Sequence, residues 1–127
     1  MIKITIQAKD SKRVTKAIIQ DKKGRVLLLL RSNYMEKYAN TWDLPGGHVH
    51  VGESLTSGLK REVKEETNLD VISAKLRKTE RNRHFYLCKV KDFDIKLSNE
   101  HSDYLFREVG DLDLENNFER IAKEILS

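Results

Sequence analysis

Leu44-Pro45-Gly46-Gly47-His48-Val49-His50-Val51-Gly52-Glu53 runs into Ser54 and then, seven residues on, into Arg61-Glu62-Val63-Lys64-Glu65-Glu66-Thr67-Asn68-Leu69. The first part reads as a glycine-rich turn that brings backbone close to a ligand. The second reads as a helix capped by Ser54 and stopped near Thr67 by Asn68, a residue type that tolerates the left-handed conformation. Wound at about 100° per residue, the helix places Leu55, Leu59 and Val63 on one arc, with Thr56, Ser57, Lys60, Lys64 and Thr67 opposite. Glu62 and Glu66 fall inside the apolar arc and Glu65 at its border. Three carboxylates converging at a helix C-terminus repel one another and the helix dipole, so a compensating cation is expected. All-oxygen ligands select hard Mg²⁺ or Mn²⁺ over zinc. A bare E-x-x-E-E can also be a solvated face paired with lysines; here the glycine-rich turn precedes it. Gly58, on the core-facing arc, implies close backbone packing.

Spaced this way, Gly47, five residues, Glu53, seven residues and Arg61 to Leu69 resemble the Nudix box G-x5-E-x7-R-E-U-x-E-E-x-G-U, with Asn68 in place of the last glycine. The resemblance implies an α/β fold, the Nudix-type αβα sandwich with a mixed β-sheet between helices. It further implies a magnesium-dependent pyrophosphohydrolase, with Mn²⁺ as substitute. Glu62, Glu65 and Glu66 resemble the metal-binding carboxylates, the Gly47 carbonyl an extra ligand, and Arg61 and Glu53 the pair bracing loop against helix. Glu62, Glu53 or Glu100 is then the general base. Position 50 often carries an acid in similar proteins, so His50 is expected to reshape the metal site.

Beyond the box, strand patterns cover Ile2–Gln7, Val14–Gln20, Arg25–Arg31, Val71–Thr79 and His84–Val90, and a second helix follows the stripe Phe118, Ile121, Ala122, Ile125 and Leu126. Arg31, ending the aliphatic strand, is either a phosphate-holding residue or a surface arginine; Glu100, in the loop Asn99 to Tyr104, either a ligand or base or a solvated acid. The substrate pocket is expected from Arg31, the Gly46–Glu53 loop and the Phe85–Tyr86 strand, with Trp42, Phe85 or Tyr86 stacking on a base. Tyr86 lies 17 residues past Leu69, a spacing similar to that of diadenosine polyphosphate hydrolases. Lys75, Arg77, Arg81 and Arg83 recur with period two, either as a solvated edge strand or as a track for an RNA 5′ end. His48 and His50 are substrate contacts or exposed. Cys88 reads as a buried small hydrophobe.

With 127 residues the chain is expected to be one domain, 1–127, in which site and scaffold share a fold. Its net charge of +4, from 24 basic and 20 acidic residues, favours anionic partners without choosing one. The longest aliphatic run, Val26 to Leu30, is too short for a bilayer, and Met1 to Asp10 alternates like a strand rather than a signal peptide, so a cytoplasmic protein, monomer or homodimer, with no membrane partner is expected. The leading substrate is a (d)NTP cut to NMP and pyrophosphate. ADP-ribose, dinucleoside polyphosphates, an RNA 5′ pyrophosphate and a non-catalytic sensor are the alternatives.

Overall fold

A computed structural model describes residues 10–35 and 37–127, so the strand expected at Ile2–Gln7 lies outside the described residues. In chain order the elements are β1 Asp10–Ile19, β2 Val26–Arg31, β3 Trp42–Asp43, β4 Gly46–His50, α1 Leu55–Thr67, β5 Val71–Glu80, β6 Arg83–Val90, β7 His101–Arg107, a 3-10 turn Val109–Asp111, and α2 Asn117–Leu126. The strands form two sheets. One, ordered β4-β1-β6-β5, is mixed because β1 runs parallel to β6 and antiparallel to β4; the other, β3-β2-β7, is antiparallel.

Alternation sorts the apolar side chains into two layers. Ala17 and Ile19 of β1, Leu27 and Leu29 of β2, and Tyr86 and Cys88 of β6 pack with Leu59 and Val63 of α1. Ile18, Val26, Leu28 and Phe85 pack with Ile121 and Ala122 of α2. A strand covered by a helix on each face needs apolar residues at every position, which is why Val26 to Leu29 shows no polar alternation. The result is the αβα sandwich with mixed sheet that the sequence implied.

α1 is held at both ends and at its middle. Ser54 Oγ accepts the Ser57 N–H at 3.1 Å, and Asn68, at φ 69°, donates its N–H to the Lys64 carbonyl. A Cβ on Gly58 would stand 3.0 Å from both methyls of Val49, so glycine is what lets the helix lie on β4. Two expectations are corrected. Gly46–His50 is not a turn but strand β4, paired with β1; the glycines serve close approach within a sheet, and the reversal comes later, at Gly52 (φ 91°). Thr67 is buried rather than solvent-facing, because the Lys96 N–H donates to its carbonyl and its hydroxyl donates to Val63 O and accepts from Leu69 N.

Candidate active site

β4 and α1 together form one wall of a cleft. Gly46, at φ 134°, lies so close to β1 that a Cβ would stand 2.1 Å from the Thr15 carbonyl oxygen. Its N–H donates to Glu66 Oε1 at 2.7 Å. At Gly47 a Cβ would stand 2.7 Å from Glu62 Oε2. Gly46 therefore lets β4 lie close on β1 while its N–H meets Glu66, and Gly47 lets the Glu62 carboxylate rest against backbone. Glu66 is only 6% exposed, and burial pushes its carboxyl up to about 8, against the opposing pull of Lys16 and the Gly46 N–H. Burial also raises Glu62, opposed by Arg61.

Arg61 ties this wall together. Its Nε and Nη2 donate to the two oxygens of Glu53 at 2.9 and 3.0 Å, and Nη2 reaches the His48 carbonyl at 3.0 Å. Nη1 donates to Glu62 at 3.1 Å and to Glu65 at 3.2 Å. Glu53 also accepts the His50 N–H at 2.7 Å. The Arg61 fork, with that N–H, holds the Glu53 carboxyl down to about 2. Glu53 is thus fully committed as a brace between the 50–53 turn and α1.

Glu62, Glu65, Glu66 and Glu100 line one cavity of about 630 Å³ together with Gly46, Gly47, His48, His50 and Arg61. Among the described residues no three acidic, histidine or cysteine side chains are gathered tightly enough to hold an ion as they stand, and Arg61 Nη1 bridges Glu62 and Glu65. The donor set nevertheless fits a hard divalent cation. Oxygen ligands line one cavity, and the missing Cβ at Gly47 leaves the Glu62 carboxylate against main chain.

The facing wall carries cations. Arg31 of β2, Lys16 of β1 and Arg83 of β6 line the same cavity, with Asp43 and Phe118. A second cavity of about 380 Å³ shares Arg31, Asp43, Arg83 and Phe118 and adds Thr41, Trp42 and Asn117. Tyr38 borders both cavities. Trp42 is held by Asn116 Nδ2, which donates to its carbonyl at 2.9 Å, and by the Arg107 guanidinium 5.6 Å from its ring. Arg107 is itself fixed by buried Glu119 at 2.6 Å.

Lys16 is the residue that sequence reasoning missed. A lysine inside a β-strand pattern reads as its polar face, but here the cleft opens on that side. His101, also missed, is buried with neither ring nitrogen hydrogen-bonded to a described residue, and burial pushes it down to about 4, so its imidazole is neutral. Arg31 and Glu100, the latter in the turn just before β7, both face the cleft. Tyr86, expected at the substrate, is corrected: in the register of β6 it falls on the α1 side, 5% exposed in the core, while Phe85 falls in the α2 layer. The edge-strand reading of the basic stripe holds for Lys75 and Arg77 only. A register shift between Leu76 and Lys78 and the turn at Arg81 (φ 56°) break the period, leaving Lys75 and Arg77 on edge strand β5 and only Arg83 in the cleft. Cys88 is buried and free, and burial raises its thiol to about 12, which leaves it inert.

A family model described as NUDIX domain matches residues 10–126. The chain is similar to an 8-oxo-dGTP diphosphatase of Haemophilus influenzae, 33% identical over 87 residues that cover 68% of this chain and 62% of that protein. It is also similar to an m7GpppN-mRNA hydrolase of Xenopus laevis, 42% identical over 52 residues, or 41% of this chain. The chain spans 18% of that relative's length. Among solved structures, a MutT protein from Methanosarcina mazei Go1 superposes with a TM-score of 0.66 at 30% identity, covering 87% of this chain and 88% of the other. No helix among the described residues is long and apolar enough to cross a membrane.

Proposed function

The chain belongs to the Nudix family, and from that premise we propose that it hydrolyses a pyrophosphate bond in a small nucleotide, with a (d)NTP cut to NMP and pyrophosphate as the leading case. Residues 1–127 act as one Nudix domain in this proposal. The observation that carries it is the cleft itself: Glu62, Glu65, Glu66 and Glu100 on one wall, Arg31, Lys16 and Arg83 on the other. A polyphosphate with bound cation needs both.

Glu62, Glu65 and Glu66, with the Gly47 carbonyl, would hold Mg²⁺ or Mn²⁺. Such an ion, when bound, supplies neutralising charge to the phosphates and acidity to a water. Arg31 holds a phosphate through its Nη groups, and the Glu53–Arg61 brace keeps the 50–53 turn and α1 in register. In the chemical step a water oxygen bonds to phosphorus, its proton passes to a carboxylate, and the anhydride P–O bond between the α- and β-phosphates breaks, releasing NMP and pyrophosphate. Glu53, engaged at both oxygens and held near 2, is a poor proton acceptor, so the base is Glu62 or Glu100. The nucleoside lies in the smaller cavity against Trp42 and Tyr38, taking the place that the sequence offered to Tyr86. Similarity to the 8-oxo-dGTP diphosphatase supports the (d)NTP reading.

The test is a panel of (d)NTPs, ADP-ribose, dinucleoside polyphosphates and 5′-triphosphorylated RNA, assayed with Mg²⁺, with Mn²⁺ and in EDTA. NMP and pyrophosphate released from a (d)NTP, lost in EDTA and restored by either ion, is the expected result. Full turnover in chelator, or no turnover of any nucleotide, would remove the proposal.

A further inference from the structure

Asp43 faces two cations, and only one of them binds it closely. Lys16 Nζ donates to both Asp43 oxygens at 3.0 Å and to the Leu44 carbonyl at 3.3 Å. An ammonium has three hydrogens, so none is left for a substrate. The Phe118 ring, 4.9 Å from Nζ, covers the group, and Lys16 is 6% exposed. Arg31 Nη1 stands 3.7 Å from Asp43 Oδ2, within ion-pair range but beyond a hydrogen bond. Its Nε is used on the Lys37 carbonyl at 3.0 Å, and its Nη hydrogens make no hydrogen bond among the described residues.

We propose that Lys16 is a positioning residue that occupies Asp43 and so keeps Arg31 available for a phosphate group in the cleft. The inference rests on the reading of Arg31 as a phosphate holder. Lys16 belongs to the four-stranded sheet, and Asp43 and Arg31 to the three-stranded one, so the pair also links the two sheets. Without Lys16, Asp43 is a buried carboxylate with no cation at hydrogen-bond distance, and Arg31 is the cation beside it. A bidentate guanidinium–carboxylate pair is the strong form of that contact. It would consume the donors that a phosphate needs, and a ligand would then have to displace Asp43 before it could bind.

The experiment measures the dissociation constant of inorganic pyrophosphate, with Mg²⁺, by calorimetry on the full chain, alongside kcat and KM. Lys16→Met should weaken pyrophosphate binding by about tenfold, close to Arg31→Ala, with KM rising and kcat changing less than about threefold. Asp43→Asn should stay within about threefold of the parent, and Lys16→Met with Asp43→Asn should return to that range. Binding by Lys16→Met within threefold of the parent would overturn the proposal. So would a tenfold loss in Asp43→Asn, which would mean that Asp43 orients Arg31 rather than competing for it. If Lys16→Met does not fold, the double variant decides, because a tenfold loss there makes Lys16 necessary irrespective of Asp43. A parent that binds pyrophosphate yet cleaves no nucleotide removes the proposed reaction and leaves this inference standing; a parent that binds no pyrophosphate removes the inference.

Discussion

The two walls of the cleft are built in opposite ways. Apart from Glu100, the carboxylate wall is one continuous stretch, Gly46 to Glu66, in which acids outnumber their one direct arginine partner. The cationic wall is assembled from β1, β2, β3, β6 and the start of α2; there Lys16 and Arg31 both lie within ion-pair range of Asp43, and Arg83 lines the same cavity. Neither wall is balanced alone. A ligand that brings both a divalent cation and phosphates satisfies both at once, and this complementarity is why the cleft reads as a pyrophosphate site rather than as two unrelated charge clusters.

Removing charge from the carboxylate wall should have the largest effect. Glu62→Gln and, separately, Glu66→Gln are expected to lower kcat by about two orders of magnitude at saturating Mg²⁺ while remaining folded, since each keeps shape and removes ligand charge. Circular dichroism with steady-state kinetics checks both halves. Near-parental turnover in both variants would reduce the wall to a solvated acidic face.

The same imbalance has a pH signature in the metal-free protein. Glu66 holds its proton up to about 8 when folded against 4.5 in the unfolded chain. The ionisation penalty is therefore absent below about 4.5, and stability is lost progressively as pH rises toward 8. The loss is on the order of a few kcal/mol. Denaturant unfolding of the metal-free chain at pH 5 and pH 8 should show it, and Glu66→Gln should flatten the difference. A slope unchanged by that substitution would place the buried charge elsewhere.

How much of each wall was legible follows from its construction. Ser54, Gly58, Asn68 and the three glutamates could be read because a helix fixes their mutual directions within a few residues, and the turn, helix and spacing reinforced one another. The exception was β4, where two glycines and a proline imitate a loop. Tyr86 and Lys16 could not be read, since each depends on strand register: Tyr86 turns into the α1 layer, and Lys16 lines the cleft. Pairing β1 with β4 and β6 is a non-local fact that no window of sequence contains.

On the cationic wall the effects should be smaller and fall on binding. Arg31→Ala is expected to raise KM by about tenfold with kcat altered less than threefold, as for loss of one charged hydrogen-bonding partner of a phosphate. A kcat loss as large as that of Glu66→Gln would instead bring Arg31 into the chemical step and blur the division between the walls.

The smallest effect sharpens where the cationic wall ends. Arg83 lies in the cleft with its guanidinium 5.4 Å from the Phe118 ring, whereas Arg81, two residues away, sits in the β5–β6 turn with left-handed backbone. On a free (d)NTP, Arg81→Ala should change kcat/KM by less than about twofold while Arg83→Ala raises KM severalfold, because a small nucleotide reaches only the cavity. A chain of phosphates leaving the cleft past Arg83 would meet Arg81 in that turn, and that contact would weaken steeply with salt. Measuring both variants on a (d)NTP and on 5′-triphosphorylated RNA, at low and high salt, separates the two cases. If RNA outpaced every free nucleotide by about tenfold and Arg81→Ala removed both the advantage and its salt dependence, the cationic wall would extend over the edge of the sheet, and the small-nucleotide reading would give way to the RNA 5′ end.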